Sequence, residues 1–68
     1  MGLELKKNSR GIRRAAVLMH AAHGKRAAVE ASLRALAHRR RGDDAGFEVW
    51  SWICAAIRAL ERRPAEDD

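Results

Sequence analysis

A chain of 68 residues holds one domain, and at that size only about 60% of the unfolded surface is buried, so its core is marginal. One cysteine, Cys54, excludes an intramolecular disulfide; no apolar run approaches the roughly 20 residues of a membrane span; and MGLELKKNSRG lacks the apolar centre of a signal peptide, so a cytoplasmic protein is expected. The net charge of +5 is uneven: residues 1–41 carry 11 Lys or Arg against Glu4 and Glu30, a net of +9, while residues 42–68 carry three Arg against seven Asp or Glu, a net of −4.

Residues 1–9 show no sustained periodicity and read as a flexible N-terminal segment. Asn8-Ser9 suits the start of a first helix over 9–23. At about 100° per residue, Ile12, Ala15, Ala16, Leu18, Met19, Ala22 and His23 fall on one stripe, with Arg10, Arg13, Arg14 and His20 outside it. Gly24 weakens or breaks the helix, although a continuous helix through it remains open, since one Gly costs only about 1 kcal/mol. A second helix over 25–41 puts Val29, Leu33, Leu36 and Ala37 inward, extended by Ala28 and Ser32, and Glu30, Arg34, His38 and Arg41 outward. Arg39, Arg40 and Arg41 complement the negative end of its dipole, and Gly42 marks its stop.

Asp43 or Asp44 caps the third helix, which runs to about residue 62 before Pro64. Its apolar arc of roughly 220° extends from Trp52 through Ala56, Val49, Leu60, Ile53, Ile57, Trp50 and Cys54 to Phe47. Arg58, Ser51, Arg62 and Glu48 hold the wet side. No segment alternates with period two. The expectation is an all-α fold: a compact three-helix domain over 10–63 with short glycine-marked turns, followed by an acidic tail over 64–68. Trp50, central on the arc, is expected to be almost fully buried, and Trp50→Ala to cost about 3–5 kcal/mol.

Chemistry-bearing patterns are sparse. His20 and His23 are three residues apart, a spacing that can serve a metal, yet no Cys, Asp or Glu lies nearby in sequence to complete a ligand set. His23 beside Gly24 is expected to bond the last carbonyls of its helix instead. Cys54, inside an apolar helical pattern, reads as a buried inert thiol. There is no nucleophile–base pattern, no glycine-rich phosphate loop and no tyrosine. The carboxylates gather at a cap and in the tail, so no enzyme, cofactor or metal is expected.

Two functional readings remain. The first is a small regulator, adaptor or inhibitor acting by contact with a protein partner or a second copy, with self-association as a homodimer expected. Trp52 lies almost behind Trp50 and Ile57, so Val49, Trp52 and Ala56 are the candidate interface, unless the first helix folds over that edge. The second is a small DNA-binding regulator, in which Arg10, Arg13, Arg14, Arg34, Arg39, Arg40 and Arg41 meet a polyanion. Of the Gln, Asn, Ser and Thr usual for base reading, the basic second helix offers only Ser32, on its inward stripe, and the third helix is aromatic and acidic.

Residues 23–60, HGKRAAVEASLRALAHRRRGDDAGFEVWSWICAAIRAL, resemble a group of short alphaproteobacterial helical proteins of unknown function. That group carries an HGxRA segment followed by GDxAGxxxWxxIAxxxxxL. The matching positions are His23, Gly24, Arg26, Ala27, Gly42, Asp43, Ala45, Gly46, Trp50, Ile53 and Leu60, with Cys54 where the pattern has Ala and Ala55 one place later. Trp52 departs from the pattern, where a polar residue is expected, as does the more basic first half. The resemblance implies a compact helical fold and no activity. Gly46, in the first turn of the third helix, costs about 1 kcal/mol against Ala, which a close backbone approach there, by the preceding helix for example, would explain.

Overall fold

The computed structural model describes residues 9–62, and the segments 1–8 and 63–68 lie outside the described residues. Three helices follow in order: α1 (Arg10–His23), α2 (Ala27–Arg40) and α3 (Asp44–Arg62), with a 3-10 turn over Gly24–Arg26. Among the described residues there is no strand, so the all-α three-helix reading holds.

Local chemistry explains the boundaries. Ser9 is extended, and its hydroxyl accepts the Ile12 N–H at 3.2 Å, satisfying one of the donors a helix start leaves open. Gly24 takes φ +59, where side chains are strained, so α1 stops there and the two helices are not continuous. The Gly24 N–H donates to the His20 carbonyl. This corrects the expectation for His23: the closing bond comes from the Gly24 backbone, not from the imidazole. Gly42, at φ +78, ends the run after α2, and its N–H donates to the Arg39 carbonyl.

α3 is the central element. It packs most extensively on α2, less on α1, and the latter two touch each other least. The core joins Ile12 and Ala16 of α1, Ala27, Ala28 and Ala31 at the start of α2, and Ile53, Cys54 and Ile57 of α3. Ala35 is buried further along α2.

The inward face of α2 differs from the one expected. Val29, Leu33 and Leu36 are 51%, 54% and 41% exposed, and Ala37 is exposed as well. The alanine face turns in instead, roughly opposite on the helix. Close approach explains the choice: with only methyl groups between them, α2 and α3 come near enough for the Cys54 thiol to donate to the Ala28 carbonyl at 3.4 Å, with the Ser32 hydroxyl 3.3 Å from the same sulfur. A leucine-lined seam would hold the backbones further apart. His38, expected outward, is half-buried. On α1, Leu18 is 59% exposed and Ala22 is exposed, so the stripe centres on Ile12 and Ala16 instead.

Trp50 is half-buried rather than central to the core. The α2 residues on its side are short, and the Arg34 guanidinium stands over the indole, 5.4 Å from the ring centroid. Arg39 covers Phe47 in the same way at 5.2 Å. The C-terminal ends of α1 and α3 are linked by His20 Nε2, 3.7 Å from Glu61 Oε2. Since α1 has 14 residues and α3 has 19, the first turns of α3 rely mainly on α2 for cover.

Candidate interaction surface

The outer side of α2 carries a row set by helix geometry. Val29, Leu33 and Leu36 follow at steps of four and three, which is the a/d spacing of a heptad and keeps them on one line along the helix. Arg40, seven residues after Leu33, ends the same line, and Arg26 stands before it in the 3-10 turn that leads into α2; both are exposed. Glu30 is the one carboxylate of α2. This row is the candidate contact surface of the described residues, and Val17, Leu18 and Leu60 are exposed as well.

The residues expected at the interface behave differently. Val49, Trp52 and Ala56 are each half-buried against the core of their own chain. Gly46, Trp50 and Cys54 face α2, so Trp52, roughly opposite Trp50 on the helix, is turned away from α2. The indole of Trp52 nonetheless spends much of its surface inside the domain. The expected polyanion residues Arg10, Arg13, Arg14, Arg34, Arg39, Arg40 and Arg41 are all exposed. No Arg–carboxylate pair within 4.0 Å occurs among the described residues. Arg34 and Arg39 are engaged by aromatic rings, and Arg39 lines an open hollow with Asp44, Phe47 and Glu48.

One polar cluster ties α2 to α3. Asp43 Oδ1 accepts the Gly46 N–H at 2.9 Å, capping α3, and the Phe47 N–H donates to the Asp43 carbonyl. Asp43 Oδ2 lies 2.9 Å from His38 Nδ1. An ionised carboxylate only accepts, so Nδ1 carries the proton and donates. Arg41, whose guanidinium lies 3.3 Å from that nitrogen, then acts on the cluster as a nearby charge rather than as a donor to it. The Gly46 N–H bond, then the His38 bond and the charges of His38 and Arg41, hold the Asp43 carboxyl below its ordinary pKa of 3.8. Sequence reading found the cap but missed His38. The available signal was Gly46 itself: a Cβ there would collide with the His38 ring and the Asp43 carboxylate. The approach that excludes a side chain is made by the ring of the preceding helix and by the cap.

Two expectations follow. Gly46→Ala improves local helix propensity by about 1 kcal/mol, yet it should lower the melting temperature, because the new methyl displaces the cap or the imidazole. A Gly46→Ala protein that melts higher than wild type would show that the cluster yields freely. For Asp43, a folded-state pKa below the unfolded one means the carboxylate's contribution is full above about pH 4 and fades as pH falls through the folded value. Acid titration followed by circular dichroism should therefore show stability declining below about pH 4, with a shallower decline in Asp43→Asn.

Cys54 is buried. Among the described residues no three His, Cys, Asp or Glu side chains come together in a way that would hold a metal ion, and no helix is long and apolar enough to cross a membrane. Comparison with protein-family models, with curated proteins and with solved structures finds no match.

Proposed function

We propose that this chain is a small non-enzymatic helical protein that acts by protein–protein contact, as a regulator, adaptor or inhibitor. The observation that carries the reading is the exposed Val29–Leu33–Leu36 row. A 68-residue chain has little apolar surface to spare for its core, and here α2 turns its largest apolar side chains to the outside. The geometry favours this row over Val49, Trp52 and Ala56, which already share their surface with their own core.

In-cell photocrosslinking tests the reading. With Leu33 replaced by photoreactive p-benzoylphenylalanine, irradiation of cells making the protein should give a discrete heavier adduct. The same replacement at Arg58, exposed on α3, should give none. No adduct at 33, or equal adducts at both positions, would overturn the proposal.

A second reading, a small DNA-binding regulator, is favoured by the exposed arginines, which form no carboxylate pairs among the described residues. Non-specific binding should then shift a DNA fragment at about 50 mM salt and fall steeply as salt rises. Joint charge reversal of Arg13, Arg14 and Arg34 should abolish the shift. An unshifted fragment at low salt would remove this reading.

A further inference from the structure

The contact proposal leaves the partner's chemistry open, and the ends of the α2 row supply it. The line reads Val-Leu-Leu-Arg at a/d spacing, with Arg40 one heptad after Leu33, and Arg26 stands at its other end in the 3-10 turn that leads into α2. Glu30 is the one carboxylate of α2. In helix pairing, a charged residue on the seam selects the partner that neutralises it and rejects partners that do not. We infer that the outer face of α2 docks on an amphipathic helix of a different protein, one that offers an apolar heptad seam with Asp or Glu opposite Arg26 and Arg40.

Pairing with a second copy is disfavoured by the same residues. A parallel arrangement sets Arg26 against Arg26 and Arg40 against Arg40. An antiparallel one sets Arg26 against Arg40 or seats an arginine on Val29 or Leu36. None of these sets a carboxylate opposite Arg26 or Arg40, since Glu30 lies beside the row rather than on it. A lipid surface fits less well, because membrane-lying helices place Trp and Phe on the apolar face, whereas Phe47, Trp50 and Trp52 belong to α3. The row is also short. α2 has 14 residues, about 21 Å of helix, so the contact belongs with small, transient interfaces.

This inference rests on the contact reading above, and its test separates the two. The probe is a three-heptad synthetic peptide with Leu on the seam, Glu at the flanking positions and Glu at the two seam positions facing Arg26 and Arg40; its control carries Lys in place of every Glu. Fluorescence anisotropy from about 1 to 500 µM covers weak contacts. Wild type should bind the Glu peptide and not the Lys peptide, and Leu33→Asp should weaken binding at least tenfold with an unchanged melting curve. The double variant Arg26→Glu with Arg40→Glu should reverse the peptide preference, which keeps the test decisive should Leu33→Asp fail to fold. No binding of the Glu peptide, or equal binding of both peptides, overturns the inference. So does binding to phosphatidylserine vesicles without peptide binding, or a wild-type dimer in sedimentation that Leu33→Asp splits. A crosslinked adduct at position 33 together with a silent Glu peptide would leave the protein-contact reading standing and remove only this partner chemistry.

Discussion

Ile57→Ala should unfold most of the protein at room temperature. Ile57 is 0% exposed and belongs to a core cluster drawn from all three helices, in which, among the described residues, Ile12 is the one other large, fully buried side chain. Truncating a buried isoleucine to alanine costs about 2–5 kcal/mol, the spread depending on how well the site collapses. At about 0.05–0.15 kcal/mol per residue, a chain this short has only a few kcal/mol in total, so the loss is comparable with the whole. Urea denaturation of wild type and variant checks it. A variant that retains a cooperative transition within about 1 kcal/mol of wild type would show that the core lies elsewhere. Trp50→Ala provides the contrast: a half-buried indole covered by Arg34 should cost less than the roughly 3 kcal/mol at the lower end for buried tryptophan.

Ala31→Leu should destabilise by about 1–3 kcal/mol or more through overpacking. Ala31 is 0% exposed on the inner side of α2, where the seam is built of methyl groups. Leucine and alanine differ little in helix propensity, so a fall in stability reports crowding against α3 rather than a weaker helix. The inserted side chain would push the helices apart and separate the Cys54 thiol from the Ala28 carbonyl. Leu33→Ala, on the outer side of the same helix, should leave stability nearly unchanged. Paired thermal melts of the two variants check the orientation of α2; if Leu33→Ala falls and Ala31→Leu holds, the helix faces the other way.

The parts of the fold legible in the sequence are those set by local chemistry. Ser9 capping α1, Gly24 and Gly42 at positive φ and Asp43 capping α3 each depend on a few neighbouring residues. On α3 the buried pair Ile53 and Ile57 followed from periodicity, because bulk and burial coincide there; on α1 the expected stripe holds for Ile12 and Ala16 but not for the exposed Leu18 and Ala22. Bulk and burial do not coincide on α2. That helix has two candidate faces, one of Val and Leu and one of Ala, and the usual preference for the bulkier face fails where close packing selects the smaller. A central place on the apolar arc of α3 did not make Trp50 fully buried either: it is half-buried, with Arg34 of α2 over its indole. His38 was hidden by the choice of face on α2, since a helix turned the other way points it to solvent. The interaction row was thus present in the sequence as a pattern, but its role depended on a choice of face that only tertiary packing makes.

The reversed orientation of α2 also inverts which of its positions should tolerate change. In most amphipathic helices the large apolar residues are constrained by folding and the alanines are permissive. Here a scan of all substitutions scored by cellular abundance should find Ala27, Ala28, Ala31 and Ala35 intolerant of larger residues and Val29, Leu33 and Leu36 tolerant. The same library scored by partner association should weigh the two sets the other way. One helix would then carry two separable selection pressures on opposite faces, so the outer face can drift toward a new partner without destabilising the fold that presents it.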